Sequence, residues 1–242
     1  MRISQYLLHS FAPGLFDNGG TAYDLGANHG EFGSYLAGEF KSVICVEPNP
    51  QLDLSGLKSN IQVLRCAIGW PSAQAWFRVS NVDVYSSLTG ELTKPETGCG
   101  DMVLVEVRTL AALFSQQPDG PIDFVKMDIE GAELDVLLGE QADVLTRIKQ
   151  LTVEFHDFID PSTRPRVLAA IARMQRLGFA FFRFSVTNNG DVLFLNSRHV
   201  KISPLRKCWI MFRFCLLRGL ARRIRRVLKP KAAIPGGYVF LK

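Results

Sequence analysis

A glycine-rich turn between two short apolar segments is the feature that most restricts what this chain can fold into. The turn spans residues 26–30 and is followed, seventeen residues after Gly30, by Glu47 at the end of the next apolar run. Strand, glycine turn, helix and strand in this order predict an α/β sheet with a nucleoside site at the carboxyl ends of its strands. Gly26 and Gly30 let the backbone pass close to a ligand, and Glu47 can accept hydrogen bonds from both ribose hydroxyls.

The spacing of the glycines indicates which nucleoside fits. A dinucleotide fingerprint has Gly-x-Gly-x-x-Gly, whereas here the pattern is Gly-x-x-x-Gly and Asn28 stands between the glycines. Asp24, just ahead of the turn, would repel a pyrophosphate but suits the ammonium group of S-adenosylmethionine. Asn28 is expected to hold the turn by side-chain hydrogen bonds, because Asn tolerates unusual backbone angles. The turn therefore predicts a sulfonium nucleoside and disfavours NAD.

Strand-like and helix-like segments alternate along most of the chain, which predicts a mainly parallel sheet covered on both faces. The predicted strands of that sheet are 21–25, 42–47, 61–68, 122–127, 150–155, 179–185 and 192–196. The predicted helices are 31–40, 49–58, 131–138 and 164–177. Two further strands, 74–79 and 103–109, form an antiparallel excursion, and the turn at 187–191 predicts a closing antiparallel hairpin. The fold class is thus a Rossmann-like α/β domain of seven strands.

Composition adds a boundary within the 242 residues. Residues 198–242 hold 13 Lys and Arg and no acid, which leaves 15 basic and 23 acidic residues in 1–197. We expect a catalytic-type domain at 1–197 and a separate basic tail at 198–242. There is neither an apolar run of spanning length nor a signal-peptide pattern, and the five cysteines lack paired or zinc spacing. A cytoplasmic location, with peripheral contact to a membrane, is the expectation.

The basic tail has the period of an amphipathic helix from Cys208 to Lys229, with Leu, Ile and Val on one face and Arg and Lys on the other. Trp209 and Phe212 precede the most basic part. This pattern favours insertion of 205–229 into an anionic membrane surface. Packing against the domain and homo-oligomer formation remain open alternatives. Nucleic-acid binding is disfavoured, because the acidic body lacks interleaved basic and aromatic residues.

Several motifs occur together in an order that resembles the FkbM family of S-adenosylmethionine-dependent methyltransferases. The motifs are Asp-Leu-Gly-Ala-Asn-His-Gly (24–30), Val-Glu-Pro-Asn-Pro (46–50), Ser-Ser (86–87), Val-Arg-Thr-Leu (107–110), Ile-Asp-Phe-Val-Lys-Met-Asp-Ile-Glu-Gly-Ala-Glu (122–133) and Val-Glu-Phe-His (153–156). The resemblance covers roughly residues 20–197 and excludes the basic tail. It implies methyl transfer to a hydroxyl of a sugar, glycolipid or related acceptor.

Oxygen methylation needs a group that takes the hydroxyl proton, because a neutral hydroxyl is a poor nucleophile. The candidates at the carboxyl ends of the fourth and fifth predicted strands are Asp128, Glu130, Glu154 and His156. The catalytic role is assigned to Asp128, Glu154 and His156. His156 suits a general base, while Asp128 also suits contact with the cofactor. Glu130 and Glu133 begin a predicted helix, where acids also stabilise the helix dipole without any catalytic role.

Three further expectations concern the surroundings of this site. A divalent metal is compatible with Asp128, Glu154 and His156 but is not required by their spacing, so no metal ligand is assigned. Adenine recognition is expected around Ala67, mainly through backbone contacts. Residues 86–87 lie in a loop that could close over the cofactor or be an ordinary polar turn.

Two other functions remain open. One is methylation of protein or RNA, which the lack of an Asn-Pro-Pro-Tyr type motif disfavours. The other is a non-catalytic, membrane-recruited scaffold that keeps a cofactor-binding fold. The acceptor itself is not encoded in any motif of the chain.

Overall fold

The computed structural model describes residues 2–79, 87–89, 101–117, 120–185 and 188–212. Its strands are β1 (Ser4–Tyr6), β2 (His9–Phe11), β3 (Thr21–Leu25), β4 (Ser42–Val46), β5 (Ile61–Leu64), β6 (Ala67–Ile68), β7 (Ala73–Val79), β8 (Ser87–Thr89), β9 (Asp101–Arg108), β10 (Phe124–Met127), β11 (Gln150–Val153), β12 (Phe179–Arg183) and β13 (Val192–Asn196). Its α-helices are α1 (Glu31–Leu36), α2 (Leu110–Phe114), α3 (Glu133–Gly139), α4 (Ala142–Thr146), α5 (Arg164–Arg176) and α6 (Pro204–Met211).

Seven strands form the central sheet, in the order β12-β13-β11-β10-β3-β4-β5. The five strands from β11 to β5 run parallel, and β13 is antiparallel to both β11 and β12. This confirms the predicted Rossmann-like sheet with its antiparallel closing hairpin. The chain turns from one half of the sheet to the other between β3 and β10. Ligands of such sheets bind outside the carboxyl ends of the strands at this reversal.

Both faces of the sheet are buried, as the nearly continuous apolar strands require. One face packs against α2 to α5 through a large cluster that includes Leu137, Leu145 and Met174. On the other face α1 covers β3 and β4 through Phe32 and Leu36. The rest of that face, over β12 and β13, is covered by the N-terminal segment and α6. The carboxyl ends of the central strands are therefore held in place by hydrophobic cores on both faces of the sheet.

The antiparallel excursion is confirmed as a separate sheet, in the order β6-β9-β7-β8. It contains β6, which was predicted as the end of a single strand over 61–68. That prediction was wrong, because the chain leaves the central sheet after Leu64 and pairs Ala67 with Val107 instead. Between the two strands, Arg65 turns away and donates to the carbonyls of Asn49 and Leu52.

The predicted helix at 49–58 is also wrong, since this segment is a series of turns. Side chains of the segment satisfy its backbone in place of a helix: Asn49 accepts from the N–H of Gln51, and Asp53 accepts from the N–H of Ser55. Such local bonds compete directly with helix formation. The predicted helix at 31–40 is right in place but shorter, because α1 ends at Leu36.

An N-terminal hairpin of β1 and β2 precedes the sheet and was not predicted. Its turn is formed by Leu7 and Leu8, both with positive φ (43° and 68°). Leucine rarely adopts this conformation, which Asn and Gly adopt readily, so the sequence carries no signal for the turn. The hairpin brings His9 to the carboxyl edge of the sheet.

The tail begins a helix at Pro204, four residues before the predicted start. Ile210 is buried in the cluster that contains Phe182 and Leu195, so this part of the tail packs on the sheet. Leu205 and Trp209 on the same helix are exposed. Most of the predicted tail helix lies outside the described residues. Among the helices that the structure describes, none is both long and apolar enough to cross a membrane.

Candidate active site

The turn after β3 forms the floor of the site. Gly26 has a φ of 76°, and a Cβ placed there would lie 1.7 Å from the carbonyl oxygen of Asp128. The N–H groups of Gly26 and Ala27 donate to the carbonyl of Val46, which ties the turn to the end of β4. Only glycine fits at position 26, because a side chain would collide with the backbone after β10. The close approach at Gly26 therefore joins the two strands that flank the reversal of the sheet.

Glu47 holds this turn from the neighbouring strand. One carboxylate oxygen accepts from the N–H of Asn28 at 2.8 Å, and the other accepts from the N–H of Asn49, also at 2.8 Å. Burial raises the pKa of Glu47, although the two backbone N–H groups oppose that rise. Each carboxylate oxygen keeps a further lone pair for a ligand. Glu47 thus orders the loop and still presents acceptors to the cleft.

Asn28 and Gly30 complete the turn. Asn28 has a φ of 47°, as expected for a residue that tolerates the left-handed region, and its side-chain oxygen is buried without a hydrogen-bond partner among the described residues. Gly30 also has a positive φ of 75°, but it faces Leu54 and Leu57 rather than the cleft. The Asn28 oxygen is therefore available to a ligand, whereas Gly30 shapes the start of α1.

Asp24 lies beneath the turn instead of facing the cleft. It is fully buried, and one of its oxygens lies 3.3 Å from the ammonium nitrogen of Lys126. Lys126 also donates to the carbonyl of Gly26 at 2.6 Å. Burial disfavours the charged form of Lys126, yet Asp24 and Asp128 outweigh this and raise its pKa. The pair supports the turn from below, and this placement does not bring Asp24 to the ligand side.

We call the open space above this turn, about 690 Å³ including the part open to solvent, the nucleoside cleft, after the ligand class that the sequence predicts. Ala67, where adenine contacts were expected, lines it together with Ile68 from β6 and Phe77 from the second sheet. The remaining lining residues are Gly26, Asn28, Val46, Glu47, Pro48, Asn49, Leu52, Asp128, Ile129 and Glu130. The cleft thus has a polar side at the turn and an apolar side at the second sheet.

Five ionisable side chains meet beside the cleft, and we call them the acid–histidine cluster. Asp128 is central: its two oxygens lie 3.5 Å from Nε2 of His9 and 3.7 Å from Nε2 of His156. Glu154 lies 4.0 Å from His9, and Glu130 lies 3.4 Å from His156. The structure therefore brings together the four sequence candidates Asp128, Glu130, Glu154 and His156, and it adds His9.

The carboxylates of this cluster have different proton affinities. Burial alone would raise the pKa of Asp128, but Lys126 and the two histidines outweigh it and hold that pKa well below its usual range. Burial, with the Asp128 charge adding to it, raises the pKa of Glu154 to about 7. Burial likewise raises the pKa of Glu130 to about 7. Asp128 is therefore the permanent negative charge of the cluster.

His156 has the opposite shift. Burial alone would lower its pKa, but the Glu133 carboxylate, 3.5 Å from Nδ1, and the charges of Glu130 and Asp128 raise the pKa to about 9. Glu133 itself is held by the N–H groups of Ile129 and Gly131. At neutral pH His156 carries its proton, so it is better suited to orienting an anionic group than to accepting a proton.

A side cavity adjoins the cluster, with about 760 Å³ of space including the part open to solvent. It is lined by Glu130 and His156 at one end and by apolar side chains such as Phe155 and Ile159. Glu130 lines both this cavity and the nucleoside cleft. Glu130 has a φ of 54° and precedes Gly131, whose φ is 105°. An unusual backbone conformation at a shared wall is typical of functional sites.

Two positions of the candidate site were not assigned from the sequence. His9 comes from the hairpin before the sheet, and the sequence signal for it is only a histidine in a short alternating segment. Lys126 is inside the apolar strand β10, where a lone lysine already indicates a buried partner. Of the predicted loop at 86–87, Ser86 lies outside the described residues and Ser87 begins β8.

Comparison with known proteins gives a family match. The family model described as Methyltransferase FkbM domain matches residues 24–181. The chain is also 40% identical over 58 residues to the AMB antimetabolite synthetase AmbE of Pseudomonas aeruginosa. That match covers 24% of this chain and spans only 3% of the length of the curated relative.

Two solved structures are similar at low identity. An rRNA methylase from Streptococcus thermophilus has 12% identity and a TM-score of 0.44, over 76% of this chain and 90% of that one. A precorrin 8w decarboxylase from Methanobacterium thermoautotrophicum has 16% identity and a TM-score of 0.37, over 68% of this chain and 66% of that one. Likenesses of this size carry no argument about the reaction.

Proposed function

The chain belongs to the FkbM family of methyltransferases, and we propose that it transfers a methyl group from S-adenosylmethionine to a hydroxyl oxygen of a small acceptor such as a sugar or glycolipid. The observation that carries this proposal is the meeting of two cavities at one carboxylate. Glu130 lines both the nucleoside cleft and the side cavity. A donor in one cavity and an acceptor in the other would meet beside the acid–histidine cluster.

The residues of the nucleoside cleft fit the cofactor that the family implies. Glu47 would accept hydrogen bonds from ribose hydroxyls, and the buried Asn28 oxygen would accept from a donor group of the ligand. Ala67, Ile68 and Phe77 offer an apolar surface suited to a flat base. Asp128 places a permanent negative charge at the cleft, which suits a positively charged sulfonium. The cleft therefore combines the contacts that such a nucleoside needs.

The chemistry needs one proton acceptor at the boundary of the two cavities. When bound, S-adenosylmethionine would supply an electrophilic methyl group on a positively charged sulfur, and that sulfur would leave as a neutral thioether. The hydroxyl proton passes to the carboxylate of Glu130, while His156, 3.4 Å away, holds that side chain in place. Positioning in a partly buried site supplies the rest of the rate.

The proposal is tested by incubating the full chain with methyl-labelled S-adenosylmethionine and separate fractions of cell-envelope glycans, lipids, RNA and protein. We expect base-stable label in the glycan or glycolipid fraction, because an ether resists alkaline hydrolysis. Glu130→Gln should lower the rate about 100-fold or more, while Asp143→Asn, at an exposed acid of α4, should not. Label in the RNA or protein fraction would show that the acceptor belongs to that class instead. Label in no fraction would favour a non-catalytic scaffold.

We further propose that the tail brings the enzyme to an anionic membrane surface. The support is one face of α6 and its continuation: Leu205, Trp209 and Phe212 are exposed at helical spacing, and the sequence that follows is strongly basic. Removal of 213–242 keeps Ile210 in its cluster and should abolish flotation with anionic liposomes. Equal flotation of the full and shortened chains, or none by either, would contradict the proposal, and a shift in oligomeric state would point to self-association.

A further inference from the structure

Three ligand-type atoms from three separate elements converge within the acid–histidine cluster. They are Nε2 of His9 in β2, a carboxylate oxygen of Asp128 just after β10, and a carboxylate oxygen of Glu154 just after β11. All three atoms lie within 4.8 Å of one another. His9 lies outside the family-matched residues 24–181, so the convergence is not contained in the matched domain.

The distances between these atoms fit a shared ion better than direct contact. His9 Nε2 is 3.5 Å from Asp128 and 4.0 Å from Glu154, and a hydrogen bond of this type would be about 2.7–3.2 Å long. Ligands that each lie about 2.1 Å from one cation are about 3 Å apart when adjacent and about 4 Å apart when opposite. The two separations from His9 fall within this range, and all three atoms are close enough to face one cation.

His9 is fixed in this position by burial and packing. Its side chain is 4% exposed, and its ring packs edge-on against Phe32. Its Nδ1 is buried and makes no hydrogen bond with any residue that the structure describes. The next residue, Ser10, is fastened by its N–H and hydroxyl to the two oxygens of Asp191. The imidazole is thus buried, held and aimed at two carboxylates.

Lys126 meets the negative charge of this group only in part. Its ammonium nitrogen is 2.6 Å from the carbonyl of Gly26 and 3.3 Å from Asp24, but 3.7 Å from Asp128. Asp24 already balances that lysine. Asp128 therefore keeps a negative charge beside the Glu154 carboxyl group, and a small cation bound between the two would neutralise it.

We propose that His9, Asp128 and Glu154 bind one divalent cation of the Mn²⁺ and Mg²⁺ class. Two carboxylates suit a hard cation, and the imidazole admits borderline ions such as Mn²⁺. A second group, Asp128 with Glu130 and His156, shares one residue. Its histidine is engaged by Glu130 and Glu133, so the His9 group is the one that binds. Resting on the proposed function, the cation would bind the acceptor hydroxyl and lower its pKa.

The test measures binding directly, so that it does not depend on methyl transfer. The full chain is stripped of metal with a chelator, and Mn²⁺ is titrated in while free Mn²⁺ is followed by electron paramagnetic resonance. We expect one site that Mg²⁺ competes for, with affinity lowered at least about tenfold in His9→Gln and in Glu154→Gln. His199→Gln is the matched control: this exposed histidine follows β13 at the opposite edge of the sheet. Circular dichroism checks that each variant folds.

Three outcomes would overturn the proposal: no Mn²⁺ binding by the full chain at millimolar concentration, unchanged affinity in His9→Gln, or loss of binding in His156→Gln with His9→Gln unaffected. The last would assign the ion to the other group. Cofactor affinity and label transfer are measured separately with and without Mn²⁺. Metal binding without any label transfer would support the cation site and contradict only the proposed function. Label transfer that does not depend on Mn²⁺ would contradict the role of the cation in the reaction.

Discussion

The nucleoside cleft and the acid–histidine cluster lie at the same edge of the sheet but are built in different ways. The polar side of the cleft comes from one short stretch of chain, from Gly26 to Glu47, and is held by backbone hydrogen bonds. The cluster draws its residues from three distant places: His9 in the N-terminal hairpin, the turn after β10, and the end of β11. The cleft is held by local bonds, whereas the cluster is held by the packing of the whole domain.

This difference predicts how mutations in each region should act. A change in the turn after β3 acts on backbone geometry, and its effect on binding should be confined to the nucleoside. A change in the cluster alters a charge that lies close to other ionisable side chains. It should therefore shift the pKa values of several cluster members. Lys126 touches both regions, because it lies beside Asp24 under the turn and beside Asp128 in the cluster.

The largest expected effect is therefore at Lys126. Lys126→Met should destabilise the fold by about 3–5 kcal/mol, because it leaves Asp24 buried without its counter-charge. The measurement is urea unfolding at neutral pH. Adding Asp24→Asn to the same chain should recover much of the loss. A loss below about 1 kcal/mol in the single variant would show that the two regions are not joined through this pair.

Gly26→Ala should be next in size. The new Cβ would meet the carbonyl oxygen of Asp128 at 1.7 Å, and the residue would have to keep a φ of 76°. We expect a loss of about 2 kcal/mol or more by urea unfolding. Gly56→Ala is the control, since a Cβ there meets no described atom within 4 Å and should change stability by about 0.5 kcal/mol or less. Equal effects at the two glycines would contradict the close approach.

Glu47→Gln isolates the cleft from the cluster. The amide keeps one acceptor oxygen but loses the charge, so we expect cofactor affinity to fall about tenfold, or about 1.4 kcal/mol, by calorimetry. Mn²⁺ binding should not change, because Glu47 lines the cleft and is not a cluster member. Asp143→Asn serves again as the exposed control. Unchanged cofactor affinity in Glu47→Gln would remove the assignment of Glu47 to the ligand.

The smallest effect is a titration within the cluster. In metal-free protein the pKa of His156 should be about 9 by NMR, because nearby carboxylates stabilise the protonated ring. Glu133→Gln removes the carboxylate that contributes most to this rise, so the pKa of His156 should fall towards the ordinary value for histidine. The neutral fraction of His156 at pH 8 then increases. A pKa that stays near 9 would show that Glu130 and Asp128 suffice.

Predictability follows the same division between local and distant contacts. The strands of the central sheet were predicted because buried parallel strands are short apolar runs with clear turn signals between them. The helix expected at 49–58 failed because Asn49 and Asp53 bind their own backbone. The long strand at 61–68 failed because the choice of a pairing partner for Ala67 is made by the second sheet. Neither competition is visible in hydrophobic periodicity.

The candidate site divides in the same way. The residues of the turn and Glu47 were identified because glycine conformation and a carboxylate at a strand end are local signals. Asp24 was identified as part of the same motif, yet its partner is Lys126 and its place is beneath the turn. His9 was not identified, because a turn made by Leu7 and Leu8 carries no hairpin signal and its histidine meets Asp128 only after the sheet has formed.

By itself, the sequence determined the family, the seven-stranded sheet and the glycine turn with its carboxylate, since these depend on residues a few positions apart. The tertiary structure decided that a buried lysine neutralises Asp24 and that one carboxylate, Glu130, borders two cavities. It also decided that His9 lies within 4.8 Å of two carboxylates, the group that we propose as a cation site. The physical reason is that charge balance and ligand geometry depend on distances across the fold, and those distances exist only when the sheet and the hairpin are packed together.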